Sequence, residues 1–128
     1  MNIYSRNPLD DARNNKVVDI LNYLDYDDII INATDKEGKT LLHYTVINNQ
    51  YSILIRVLES FDVSINAQDI YDKTPFHYAI DENDIECITL LLAHNNINVN
   101  IHDTDGQTPL QYTLVKYDEK SLQAVLDC

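Results

Sequence analysis

Residues 69–77 read DIYDKTPFH, and related segments stand 34 residues to either side, DKEGKTLLH at 35–43 and DTDGQTPLQ at 103–111. The three segments share Asp at the first position, Thr at the sixth and an imidazole or amide side chain at the ninth. An Asn that follows an aliphatic residue recurs with the same spacing, at Asn32, Asn66 and Asn100. A fixed period of this length indicates an array of equivalent structural units.

The Thr-Pro pairs in these segments predict where helices begin. Thr is a preferred N-cap, because its hydroxyl can accept a hydrogen bond from the unpaired N–H groups of the first turn. Pro is well suited to the next position, where its missing N–H removes no helical hydrogen bond. The predicted N-caps are Thr40, Thr74 and Thr108, followed by Leu41, Pro75 and Pro109.

Apolar residues at helical intervals predict a second helix in each of the two central units. Such a stripe indicates burial against a neighbouring unit. The stripes consist of Ile53, Leu54, Val57 and Leu58 in one unit and of Ile85, Ile88, Leu91 and Leu92 in the next.

Turns between these helices are predicted at Asn residues, because the chain has only 2 glycines. Gly38 and Gly106 both fall inside the recurring segments. Asn is the residue other than Gly that most readily adopts the left-handed conformation that ends many helices. We therefore predict left-handed backbone at Asn49, Asn83 and Asn95.

The pattern resembles the phrase D-x-x-G-x-T-P-L-H-x-A of the ankyrin repeat family. Tetratricopeptide units have a similar period, but their residue pattern differs. A degenerate first copy is read at residues 7–12, NPLDDA. The resemblance implies an all-α solenoid of stacked helix-turn-helix units with short β-hairpin fingers, in a single domain over residues 1–128. The predicted units are about 1–34, 35–68, 69–102 and 103–128.

Composition narrows the classes of function. The chain has 21 acidic and 9 basic residues and a net charge of −12, which disfavours nucleic-acid binding because phosphates require cationic partners. We predict no membrane association, since no segment approaches the roughly 20 apolar residues of a membrane span and no signal-peptide pattern is present. The 2 cysteines, Cys87 and Cys128, fit a reducing environment. We expect Cys87 to pack between helices. An intracellular, cytoplasmic location is predicted, with the nucleus or a host cell as alternatives.

No catalytic, metal or cofactor motif is found. His43 and His77 occupy equivalent positions, and the resemblance implies that each hydrogen-bonds the turn next to it. Gln111 at the third copy keeps hydrogen-bonding capacity without metal affinity. His94 and His102 lack the ligand spacing of zinc sites. No glycine-rich phosphate loop or nucleophile elbow is present. We therefore predict that the protein is not an enzyme and holds neither metal nor cofactor.

Two further patterns allow alternative interpretations. Tyr44, Tyr78 and Tyr112 each follow the ninth position of a segment, where they either pack between units or form a contact stripe. The unit at 69–102 is also rich in acidic residues. Its carboxylates either form a solvated face or steer a basic partner.

Proteins of the resembling family bind other proteins through hairpin tips and the concave face of the first helices. The resemblance therefore implies a protein–protein interaction module, an adaptor or inhibitor, whose partner presents a basic surface. One version is a pathogen or viral mimic of an ankyrin inhibitor of host signalling. The alternative is a regulatory or targeting domain of a larger enzyme or lipid-carrier protein. Neither the partner's identity nor the oligomeric state follows from the sequence.

Candidate contact residues follow from the resemblance, residue by residue. They are Lys36, Glu37, Lys39, Ile47, Asn48, Ile70, Tyr71, Lys73, Asp81, Glu82, Thr104, Asp105, Gln107, Val115 and Lys116. Ile70 and Tyr71 are distinctive, because two apolar side chains at an exposed turn have no role in folding and are typical of contact surfaces.

Overall fold

A computed structural model describes residues 31–60 and 62–116. The described part contains five α-helices: α1 (Leu41–Ile47), α2 (Tyr51–Leu58), α3 (Pro75–Asp81), α4 (Ile85–Leu92) and α5 (Pro109–Lys116). α3 packs between α1 and α5, and α2 packs against α1 and α4. The first and second helices of the units therefore form two layers, as expected for a solenoid. The degenerate copy at 7–12 and residues 117–128 of the predicted fourth unit lie outside the described residues.

Helices α1 and α3, each the first helix of its unit, have Thr40 and Thr74 as their N-cap residues, as predicted. Thr40 Oγ1 accepts from the N–H of His43 at 3.4 Å, and Thr74 Oγ1 accepts from His77 at 3.3 Å. The imidazole Nδ1 in turn accepts from the Thr N–H, at 3.0 Å in both units. This is a reciprocal capping box in which His takes the place of the usual Glu or Gln.

The apolar stripes of the second helices form much of the core. The side chains at 53, 54, 57, 88 and 91 are fully buried, while Leu58, Ile85 and Leu92 are half-buried against them. Phe76 of α3 and Cys87 of α4 are also fully buried, so Cys87 packs between helices as expected. Burying one large aliphatic side chain stabilises a fold by about 1.5–3 kcal/mol.

Two of the three predicted Asn turns are confirmed. Asn49 and Asn83 have φ values of 56° and 55°. Asn95 is not left-handed, so that prediction was wrong. After α4 the chain instead turns through His94, whose Nδ1 accepts from the N–H of Asn96 at 3.1 Å. This side-chain hydrogen bond closes the loop without a left-handed residue.

The fingers that connect the units are tight turns. Asp72 has φ 58° at the position where Gly38 and Gly106 have φ 75° in the neighbouring fingers. Asp tolerates this conformation better than most residues with a side chain. A Cβ at Gly38 would come within 3.2 Å of the Asp69 backbone, so glycine is required by close approach as well as by φ.

Successive fingers are joined through single backbone hydrogen bonds. Ile70 N–H donates to Glu37 O at 2.9 Å, and Thr104 N–H donates to Tyr71 O at 3.0 Å. No β-strand is assigned in residues 31–60 and 62–116. The fingers are therefore turns rather than the expected β-hairpins. Within the second finger, Asp69 N–H donates to Lys73 O at 3.0 Å and Asp72 N–H donates to Asp69 O at 2.9 Å, which closes the turn without extending into a ladder.

Candidate functional site

Ile70 and Tyr71, here called the fingertip patch, lie at the end of the second described finger. Their side chains are 56% and 48% exposed. The turn beneath them is held by Asp69, whose Oδ1 accepts from the N–H groups of Tyr71 at 2.9 Å and Lys73 at 3.0 Å. The side chain of an Asp thus replaces a backbone partner in the turn. The patch is therefore presented on a fixed backbone.

The surroundings of the fingertip patch are polar and mainly acidic. The hydrogen bonds between fingers place Glu37 beside Ile70 and Thr104 beside Tyr71. Asp72 and Asp105 are also exposed on these fingers. An apolar pair with a charged rim is a common form of protein contact surface.

Lys39 lies beneath the patch and is buried. Its Nζ is 2.9 Å from Glu37 Oε2 and 3.3 Å from Asp69 Oδ2, and it lies 5.3 Å from the centre of the Tyr71 ring. Burial opposes the charged form, but the hydrogen bond to Glu37 and the charge of Asp69 outweigh it and raise the pKa of Lys39 above its usual range. Lys39 is one of the predicted contact residues, and the structure encloses its side chain between two fingers.

The three tyrosines of the ladder bind aspartates of their own unit. The hydroxyls of Tyr44, Tyr78 and Tyr112 donate to Oδ2 of Asp35, Asp69 and Asp103, respectively. Tyr44 and Tyr112 are buried and Tyr78 is half-buried. This arrangement supports the packing interpretation of the ladder rather than the contact stripe.

The same hydrogen bonds shift the ionisation of both partners. Burial and the neighbouring Asp69 carboxylate raise the pKa of Tyr78. Burial alone would raise the pKa of Asp69, but hydrogen bonds from Tyr78 and two backbone N–H groups lower it below its usual value. Asp69 therefore carries a negative charge that holds the tyrosine, the lysine and the turn together.

His43 and His77 hydrogen-bond the turn next to them, as the resemblance implied, and they also connect neighbouring units. Since Nδ1 accepts from the Thr N–H, the proton lies on Nε2. His43 Nε2 donates to Lys73 O at 2.9 Å, and His77 Nε2 donates to Gln107 O at 3.3 Å. Gln111 reproduces the local part of this pattern, since its Oε1 accepts from Thr108 N–H at 2.7 Å. Burial lowers the pKa of both His43 and His77.

We expect the stability of the protein to fall as the pH falls from 7 to 5. The folded pKa values of His43 and His77 lie below the ordinary 6.5, so the unfolded state binds more protons in this range. The stability contribution is present above pH 6.5 and is lost as the pH falls through the folded pKa values. Urea unfolding should show a loss of up to about 1.4 kcal/mol per pH unit for each histidine.

The control for this pH dependence is the double variant His43→Gln, His77→Gln. Gln111 shows that Gln can occupy this position. The pKa values of Asp69 and Asp103 lie below the ordinary 3.8. The stability that these carboxylates contribute is therefore lost at more acidic pH than the range from 7 to 5. A double variant with the same pH slope as the parent protein would contradict the assignment.

The remaining predicted contact residues differ in exposure. The exposed ones are Lys36, Glu37, Asp81, Glu82, Thr104 and Asp105. Those that are half-buried are Ile47, Asn48, Lys73 and Gln107. Val115 and Lys116 belong to α5, but their side chains lie outside the described part. Burial and the hydrogen bond to Asp103 raise the pKa of Tyr112, and the charge of Asp81 adds to this rise.

Neither a metal site nor a membrane span is found in the described residues. Across 31–60 and 62–116, no three His, Cys, Asp or Glu side chains are grouped to hold a metal ion. Within the same ranges, no helix combines the length and apolar character needed to cross a bilayer.

Known proteins share this arrangement. The family model described as ankyrin repeats (3 copies) matches residues 9–103 and again residues 61–128. No curated protein matches the chain. The crystal structure of EF0377, an ankyrin repeat protein, is similar with a TM-score of 0.84 and 22% identity. The match covers 94% of this chain and 60% of that one, so the chain spans about three fifths of this structural relative.

Proposed function

The chain belongs to the ankyrin repeat family, and from this membership we propose that it is an adaptor or inhibitor that binds a partner protein through the fingertip patch. Ankyrin repeats are generic protein–protein interaction modules. The observation that carries the proposal is the exposure of Ile70 and Tyr71, 56% and 48%, on a turn fixed by Asp69.

The energetics of association favour such a site. Tyr provides a large contact area while losing little conformational entropy, and it is enriched among residues that dominate binding energy. A turn already held by hydrogen bonds needs little ordering when a partner binds. Asp72 contributes to this order, because its N–H donates to Asp69 O at 2.9 Å.

The charge around the patch supports a basic partner. Glu37, Asp72 and Asp105 are exposed on the fingers, and Asp81 and Glu82 are exposed at the end of α3. Lys39 pairs with Glu37 and Asp69, and Lys36 is exposed on the first finger, so the excess of negative charge comes from Asp72, Asp105, Asp81 and Glu82. Complementary charge mainly speeds association and selects the partner.

Two uses of the protein share this surface. One use is as a mimic of an ankyrin inhibitor in a host cell. The other is as a regulatory or targeting domain of a larger enzyme or lipid-carrier protein. Both uses require a face that binds a partner. The fingertip patch serves either use.

We expect Tyr71→Ala to weaken binding of a captured partner at least about tenfold, or 1.4 kcal/mol. Stability should change by less than about 0.5 kcal/mol, because the side chain is exposed. Affinity would be measured by calorimetry on folded protein. Tyr71→Phe is the matched control, since it keeps the ring. Unchanged affinity in Tyr71→Ala would remove the fingertip patch from the interface.

Reversing the charges of Asp81 and Glu82 tests the basic partner separately. The variant Asp81→Lys, Glu82→Lys should slow association at low salt and have a smaller effect at high salt, because salt screens exposed charges. Stopped-flow or surface-plasmon kinetics at two salt concentrations would measure this difference. An association rate that does not change at either salt concentration would contradict a basic partner at α3.

A further inference from the structure

A second exposed apolar surface lies on the second helices. Ile55 is 45% exposed, although Ile53, Leu54 and Val57 in the same helix are fully buried. It contributes to a groove of about 250 Å³ between the ends of α2 and α4, here called the helix-end groove. The groove is lined by Ile55, Leu58, Glu59, Leu90, Ala93 and His94. None of these residues belongs to the fingertip patch.

The shape of the helix-end groove suits a third helix. Ile55 and Leu58 are three residues apart on α2, and Leu90 and Ala93 are three residues apart at the end of α4. Rows with this spacing are the ridges between which a further helix packs. A volume of about 250 Å³ holds about eight waters at ~30 Å³ each, which is enough space for a pair of aliphatic side chains.

Among the residues that line the groove, Glu59 is the one with an acidic side chain, and none is Lys or Arg. Both helices end here, and helix C-termini carry partial negative charge, which Arg56 in the last turn of α2 offsets in part. Glu59 is the C-cap residue of α2 and is exposed, so its carboxylate adds to the negative end of that helix. His94 Nδ1 accepts from the N–H of Asn96, so this ring nitrogen carries no proton. The chain as a whole carries a net charge of −12.

These charges decide between the occupants that an apolar groove could accept. A second copy of the chain would bring another net charge of −12 and another Glu59 to the interface. Like charges at an interface oppose association. A cationic amphipathic segment has the opposite sign and offers apolar side chains to Ile55 and Leu90.

We propose that the helix-end groove binds an amphipathic helix of a partner protein. Apolar residues of that helix enter between α2 and α4, and a Lys or Arg beside them lies against Glu59 and the two helix ends. This is the helix-in-groove mode of recognition, with apolar anchors one helical turn apart. The inference does not depend on the fingertip patch, which lies on the fingers.

The test uses the full chain and two synthetic helical peptides of about 15 residues, a length at which isolated helices begin to form. Both carry Leu at positions i, i+3, i+4 and i+7. One has Lys beside the apolar stripe, and the other has Glu at the same positions. In a nuclear magnetic resonance titration, the Lys peptide should shift amide signals of residues 55–59 and 90–94. The Glu peptide should bind at least about tenfold more weakly.

Three variants make the result specific. Ile55→Asp should weaken the Lys peptide at least about tenfold, with folding verified by thermal unfolding. Glu59→Lys should weaken the Lys peptide and strengthen the Glu peptide. Glu86→Lys changes the net charge equally at an exposed position near the start of α4, and it should leave both affinities unchanged.

Three results would overturn the proposal. Equal weakening by Glu59→Lys and Glu86→Lys would show general attraction to an acidic chain. Signal shifts confined to residues outside 55–59 and 90–94 would place the peptide elsewhere. A concentration-dependent dimer in sedimentation equilibrium, abolished by Ile55→Asp, would show that a second copy covers the groove. Tyr71→Ala should not alter peptide binding, which separates this test from that of the fingertip patch.

Discussion

Asp69→Ala is expected to destabilise the protein by about 3–5 kcal/mol, the cost of removing one partner from a buried ion pair. The Asp69 carboxylate accepts from Tyr71 N–H, Lys73 N–H and the Tyr78 hydroxyl, and lies 3.3 Å from Lys39 Nζ. Its removal leaves these donors without an acceptor and a buried ammonium with one carboxylate fewer. Chemical unfolding with urea would measure the loss.

Asp103→Ala is the matched control. Asp103 accepts from two backbone N–H groups and from the Tyr112 hydroxyl, as Asp69 does in its own unit. The residue equivalent to Lys39 in the unit before Asp103 is Lys73, but among the described residues Lys73 forms no ion pair with Asp103 like the one that Lys39 forms with Asp69 at 3.3 Å. The expected loss is therefore smaller, about 1–3 kcal/mol. Equal losses for the two variants would mean that the Lys39 pair contributes nothing to stability.

Leu91→Ala is expected to destabilise the protein by about 2–5 kcal/mol, because a cavity remains between the units. Leu91 is fully buried in α4 and belongs to the stripe that packs on the neighbouring unit. The adjacent Leu92 is only half-buried, so Leu92→Ala serves as the control and should have a clearly smaller effect. A loss below about 0.5 kcal/mol for Leu91→Ala in chemical unfolding would contradict the packing of α4.

Local features were predictable from the sequence. The capping boxes at Thr40 and Thr74 join residues three positions apart, so the segment itself contains the information. The exposure of Ile70 and Tyr71 was also predictable, because turns lie on the surface.

Contacts between units were harder to predict. Lys39 was predicted as a contact residue from its place in the finger, and its ion pair was not foreseen because its partner Asp69 lies 30 residues away in the next unit. The Tyr–Asp hydrogen bonds were missed, although both residues recur nine positions apart in all three units. That repeated spacing was the signal available in the sequence.

Surface features of the helices were the least predictable. Ile55 lies in α2 among the buried positions 53, 54 and 57, and it is apolar although it faces outward. A helical stripe identifies the buried face, but it does not show whether an apolar residue off that face lines a groove. The helix-end groove also needs the end of α4, which lies more than 30 residues along the chain.

Site-specific photo-cross-linking tests the proposed function most directly. A photoreactive side chain introduced in place of Thr104 would lie beside Tyr71, because the Thr104 N–H donates a hydrogen bond to the Tyr71 carbonyl at 3.0 Å. The control position is Ser52, which is exposed near the start of α2. We expect one partner protein to cross-link from Thr104, to be lost in the Tyr71→Ala background and to be absent from Ser52. Cross-linking that is equally efficient from Ser52, or that persists in the Tyr71→Ala background, would contradict binding at the fingertip patch.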